Sequence, residues 1–238
     1  MKTDILAIGV HPDDVELSCS GTLAKHIAEG KKVVILDLTR GELGTRGSAT
    51  LRTEEAMHAA KILGIAHREQ LNLKDGFFQN NEESLNAIIT QIRRFQPEVV
   101  LCNAISDRHP DHGRSAQLEA DACFYSGLRR IETRYDGTSQ LAWRPKAVYH
   151  YIQDEYLHPD FVIDVTPFVE TKKKAILAFS SQFYSPDSKE PATPISGEEF
   201  LDVIFSKMRV WGRAINASYA EGFQTRRYPG VNNLFDLI

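Results

Sequence analysis

Two short acidic histidine clusters hold the chemistry of this 238-residue chain: His11-Pro12-Asp13-Asp14 near the N-terminus and His109-Pro110-Asp111-His112 near the middle. Two imidazoles and one carboxylate make a three-ligand set with open positions for water and substrate, which suits catalysis better than structure. A turn into a following helix aims His11 and Asp14 at a common point and leaves Asp13 free to take a proton from water. In the second cluster His112 is placed to ligate. His109 faces the substrate, kept protonated by a neighbour such as Asp111, to stabilise an oxyanion or protonate a leaving amine. A catalytic metal brings the pKa of its water down to roughly 7, which prepares attack on a carbonyl carbon. Taken singly, either cluster is equally well explained as a helix cap or a His-Pro turn. Together, with complementary ligand types, they favour a metal hydrolase.

Each cluster follows a short apolar run, residues 5–10 and 99–102, of the length and β-branched content of a buried strand. The clusters would then sit at carboxyl ends of strands, where open α/β sheets bind ligands. The pattern predicts a helix over 15–29 stopped by Gly30, a strand at 33–38, a helix over 51–63 ended by Gly64, a strand at 70–73 and a helix over 82–95. Further strands are expected at 147–152 and 161–164, and helices at 168–179 and 198–216, with 184–197 a surface loop. This alternation predicts an α/β fold, a Rossmann-like, mostly parallel sheet flanked by helices, in a single domain over residues 1–238. The first βα turn, Gly9-Val10-His11-Pro12-Asp13-Asp14, is not glycine-rich, and a pyrophosphate there would meet two carboxylates. That argues for a cation and against a dinucleotide.

The chain resembles the PIG-L/LmbE-type zinc-dependent N-acetylglucosamine deacetylases, whose hallmarks are His-x-Asp-Asp and a later His-x-x-His. The likeness continues through Gly21-Thr22-Leu23, Leu38-Thr39-Arg40-Gly41-Glu42, Arg52 with Glu54-Glu55-Ala56, Ser181-Gln182-Phe183 and Tyr219-Ala220-Glu221-Gly222-Phe223. The resemblance implies His11, Asp14 and His112 as ligands to Zn2+, Asp13 as general base, His109 as acid or oxyanion partner, and Asp111 orienting His109 or His112. The same donor set accepts Fe2+. Within the family the nearest likeness is to the branch that deacetylates N-acetylglucosaminyl-malate in bacillithiol synthesis. Arg52 matches the family's active-site arginine, and Arg46 and Arg108 are candidates to fork a malate carboxylate. Many members carry a histidine just ahead of the Ser-Gln pair, where this chain reads Phe179-Ser180-Ser181-Gln182. The family also implies a homo-oligomer. Two alternatives stand beside this reading. One is a deacetylase of another N-acetylated sugar, such as a chitooligosaccharide or glycopeptide. The other is a metal-dependent sugar-binding module, which would have no use for Asp13.

Composition is consistent with an ordinary globular enzyme, 42% hydrophobic and 25% charged. A net charge of -4 with interspersed signs offers no basic stripe for nucleic acid, and no apolar stretch is long enough for a membrane span, so a cytoplasmic protein acting on a small-molecule N-acetylated sugar conjugate is expected. Cys19, Cys102 and Cys123 lack pair spacing and read as reduced core residues, with a Cys102 thiolate nucleophile the lesser alternative. His26, His58, His67, His150 and His158 read as structural, and His150, at a strand end, is the one placed to reach a cleft.

Overall fold

The computed structural model describes residues 1–236. The chain runs β1 (Ile5–Gly9), α1 (Asp14–Ala28), β2 (Val33–Asp37), α2 (Ala49–Leu63), β3 (His67–Gln70), α3 (Glu82–Phe95), β4 (Val99–Cys102) and α4 (Pro110–Tyr125). A small hairpin, β5 (Arg134–Tyr135) and β6 (Thr138–Ser139), precedes β7 (Ala147–Tyr151), β8 (Phe161–Asp164), α5 (Val169–Leu177), α6 (Glu198–Ala214) and β9 (Ala220–Gln224). The main sheet has the order β3-β2-β1-β4-β7-β9-β8. Its first five strands are parallel, while β9 runs antiparallel to both neighbours. This is the expected Rossmann-like α/β domain, and β1 and β4, which lead into the two clusters, are adjacent at the point where the strand order turns back.

Period-two alternation sends Leu6 and Ile8 to one face, against Ile88, Ile92 and Phe95 of α3 and Leu118 of α4. Ile5 and Ala7 face the other way, against Val15, Cys19 and Leu23 of α1. Both faces are covered, which is why the central strands are apolar throughout. The three cysteines are buried and free. Among the described residues no helix is long and apolar enough to cross a membrane.

Two elements depart from the expected pattern. The edge strand is His67–Gln70, not 70–73, and Leu71 and Leu73 pack into the core from the segment that follows it. The polar strand is held in register by Arg68, whose side chain is wholly buried between Asp37 (Nε–Oδ2 2.7 Å, Nη2–Oδ1 2.8 Å) and Glu16 of α1 (Nη1–Oε1 2.5 Å). The second departure is β9, Ala-Glu-Gly-Phe-Gln, which sequence alone did not predict. Its Glu221 accepts from the backbone N–H groups of Gly21 (3.0 Å) and Thr22 (2.7 Å) in α1. The fully buried Lys172 of α5 donates to the same carboxylate (2.7 Å) and to the Leu17 carbonyl (2.8 Å). Helix α2 starts on a Ser48 cap and ends at Gly64 in the left-handed region, as its sequence signals require.

Candidate metal centre

Strand β1 ends at Gly9, where a Cβ would press on the His11 carbonyl at 3.1 Å and Asp14 Cβ at 3.2 Å, so the turn closes tightly only around glycine. Asp14 opens α1, and its Oδ2 accepts from the His11 backbone N–H at 2.9 Å. Between them Asp13 takes φ 127°, a conformation that costs a non-glycine residue of order 1–3 kcal/mol and that clusters at functional sites. In the second cluster His109 caps α4: its Nδ1 accepts from the Asp111 N–H at 3.3 Å, Pro110 fills the first turn, and His112 follows inside it. Helix α4 itself was not expected from sequence.

The turns bring His11, Asp14 and His112 together. Asp14 lies between the two rings, Oδ1 at 3.2 Å from His112 Nε2 and Oδ2 at 3.7 Å from His11 Nδ1. Each ring turns its opposite nitrogen to carboxylates: His11 Nε2 to Asp75 at 3.1 Å and Asp111 at 3.5 Å, and His112 Nδ1 to Asp107 in a short contact. A neutral imidazole donates from one nitrogen only, so a carboxylate behind it presents the lone pair in front. Asp14 is fixed from behind by Asn103 Nδ2 (3.2 Å) and Gln153 Nε2 (2.8 Å). This donor set fits a divalent metal held by two nitrogens and one carboxylate. Two further groupings share His11: the three imidazoles of His11, His109 and His112, and His11 with Asp75 and Asp111, each with ligand atoms within 4.8 Å of one another.

The acids and imidazoles of the cluster shift one another strongly. Burial pushes Asp14 up, but His112 and His11 outweigh it and hold the carboxylate well below its usual range. Burial pulls His112 down, yet Asp14 and Asp107 take it to about 9. For Asp13 burial wins: it is pushed up to about 7 although Arg52, whose Nη2 lies 2.9 Å from Oδ2, opposes the rise. His109 is lowered by burial and by its neighbours His11 and His112. The Asp111 carboxylate accepts from Gly76 N–H (2.9 Å) and Arg114 (3.0 Å) and faces His11, and its upward pull on His109 is outweighed by burial and by His11 and His112.

All three predicted arginines border one cavity of about 320 Å³ with His11, Asp13, Asp14, His109 and His112. Arg52 is anchored by Pro12 O (2.7 Å) and Asp13. Arg108 pairs with Asp154 at 2.7 Å and is half exposed. Arg46 is 4% exposed and gives its donors to the Gln182 carbonyl and Ser188 Oγ, with Nε unpartnered. The segment 184–197 is more than a surface connection, because Thr193, Pro194 and Ile195 form a wall of the cavity together with Phe200 and Ile204 of α6. Ser180 and Ser181 bind Glu55 of α2, and Gln182 Nε2 donates to the Arg46 carbonyl at 2.8 Å. Sequence reasoning missed Asp75, Asp107, Asn103 and Gln153. Of these, Asp107 two residues ahead of His109 and Gln153 just beyond β7 carried a positional signal.

A two-histidine, one-aspartate cluster at the switch point of a Rossmann-like sheet makes the chain a candidate metal hydrolase. The model of the PIG-L family, described as GlcNAc-PI de-N-acetylase, matches residues 6–123. The chain is 32% identical to the uncharacterized deacetylase YaiS of Escherichia coli K12, over 65% of this chain and 85% of that protein. It is 29% identical to diacetylchitobiose deacetylase of Thermococcus kodakarensis, over 75% and 70% of the two chains. The crystal structure of the conserved protein TT1542 from Thermus thermophilus superposes with a TM-score of 0.85 at 32% identity, covering 97% of this chain and 98% of that one. The chain belongs to the PIG-L family.

Proposed function

We propose that this protein is a metal-dependent amidohydrolase that removes the N-acetyl group from an N-acetylglucosamine conjugate, with N-acetylglucosaminyl-malate as the preferred substrate. The carrying observation is the pair of imidazoles backed by carboxylates and fronted by Asp14, beside an Asp13–Arg52 pair. His11, Asp14 and His112 would hold zinc, which would supply the Lewis acidity that lowers the pKa of a bound water toward neutrality. Asp13, near 7, takes a proton from the attacking water and returns it to the nitrogen as the C–N bond breaks, giving acetate and a free amine. Arg52 fixes the Asp13 carboxylate. His109, with Nδ1 accepting from the Asp111 N–H, presents Nε2–H to the carbonyl oxygen as charge develops there.

The anionic aglycone rests on Arg46. A guanidinium buried at 4% exposure without a carboxylate partner among the described residues is a charge waiting for a counterion. A substrate carboxylate in the cavity would supply one, with Arg108 at the rim. The test is acetate release by zinc-loaded protein from N-acetylglucosaminyl-malate, beside N-acetylglucosamine, N,N'-diacetylchitobiose and a chelated control. Chelator-sensitive turnover favouring the malate conjugate is expected. Preference for the uncharged disaccharide would retain the reaction and overturn the substrate, and turnover by metal-free protein would overturn the mechanism.

A further inference from the structure

On the sheet face covered by α4, the end of β7 and the segment after β9 border a second cleft of about 430 Å³. Its floor is His150, fully buried. His150 Nδ1 donates to the backbone oxygen of Asn103 at 2.8 Å, so Nε2 is left as a lone-pair acceptor, and among the described residues no group hydrogen-bonds it. Burial beside Arg226 keeps the ring neutral, down to about 4, although the Asn103 carbonyl opposes this. The rim is cationic, with Arg144, Lys146, Arg226 and Arg227 around it and Asp121 as the acid in the lining. The Asp121 carboxylate is taken by the amides of Asn80 and Gln117. Lys146 pairs with Glu98 at 3.1 Å. The three arginines bond neutral oxygens instead: Arg144 to Phe124 O, Arg226 to Gln117 Oε1 and Arg227 to Lys146 O. A floor that needs an O–H donor and a rim that needs negative charge specify a compact oxyanion that also carries a hydroxyl.

We propose that this cleft is a second ligand site, separate from the catalytic cavity, for a phosphorylated polyol such as a sugar phosphate. Its phosphate pairs with Arg226 and Arg227, and a hydroxyl donates to His150 Nε2. The test is calorimetric titration of the metal-loaded full chain with glucose 6-phosphate, with inorganic phosphate and glucose as single-group probes. One glucose 6-phosphate per chain is expected, bound roughly tenfold more tightly than phosphate, with glucose silent. Arg226→Ala with Arg227→Ala, both exposed positions, should weaken glucose 6-phosphate at least about tenfold and leave acetate release unchanged. His150→Phe should erase the advantage of the sugar phosphate over phosphate. No heat at about 10 mM ligand would overturn the proposal. So would binding that survives the double arginine change but is lost in Arg46→Met, since the anion would then occupy the catalytic cavity. A double variant that changes oligomeric state while the parent binds no phosphate would also overturn it, assigning the cations to a subunit contact.

Discussion

Arg68 and Arg46 are both nearly excluded from solvent, at 6% and 4% exposure, yet their surroundings are opposite. Arg68, under α1, spends its donors on Glu16 and Asp37 and on the Ala56 carbonyl, and the two carboxylates raise its pKa against burial. Arg46, in the cavity beside the candidate metal centre, has among the described residues a carbonyl and a hydroxyl as its partners. Between them stands Arg52, with one carboxylate, Asp13, which burial lifts into the neutral range. The series teaches how a buried cation can be read. Full compensation marks architecture, partial compensation by a group near neutrality marks acid-base chemistry, and missing compensation marks the place of a ligand.

The largest effect is expected at the intermediate case. Asp13→Asn should lower kcat/KM by roughly 10²–10⁴ while zinc content, measured by mass spectrometry, stays at the parent level. Retained turnover would end the general-base role. Next, Arg68→Met should cost about 3–5 kcal/mol in urea unfolding, because two buried carboxylates lose their cation. Arg46→Met should cost less than about 1 kcal/mol, while raising KM for an anionic substrate roughly tenfold to a hundredfold with kcat held. Equal destabilisation by the two changes would break the comparison. Asp107→Asn should weaken zinc about 10–100-fold in a chelator competition, since His112 loses the carboxylate behind it.

The smallest effect is a shift in pH profile. Asp13 must be ionised to act as base, so kcat/KM should rise with pH and level off above about 7. Arg52 lowers the Asp13 pKa, so Arg52→Gln should move the rising limb to higher pH. A limb that stays in place would mean another group sets it.

The site was legible where chemistry and secondary structure coincide in a few consecutive residues. His11, Asp13 and Asp14 follow the apolar β1 directly, His109 and His112 follow β4 after a short loop, and β1 and β4 are neighbours. Asp75 and Asp107 were not legible, because a carboxylate in a turn becomes a partner of His11 or His112 only once the loops have packed. Helix α4 was hidden because its opening, Pro-Asp-His-Gly, places polar candidate ligands where apolar spacing would otherwise announce a helix. Strand β3 was misplaced because its one buried side chain is an arginine, satisfied by ions that lie on β2 and α1. The same reading had Asp111 orient His109 or His112, its near neighbours in sequence. The helix turn points the carboxylate at Gly76, Arg114 and His11 instead.

The Glu221–Lys172 pair sets an order of events during synthesis. Strand β9 lies between β7 and β8, and it brings the carboxylate that receives both the buried ammonium of α5 and two amides of α1. A nascent chain that has not yet delivered residue 221 holds Lys172 with no counterion for burial, so α5 cannot seat against α1. The helix that carries Asp14 emerges among the first residues and is locked among the last, so a chain truncated before β9 should be caught by proteases while it still carries every predicted metal ligand.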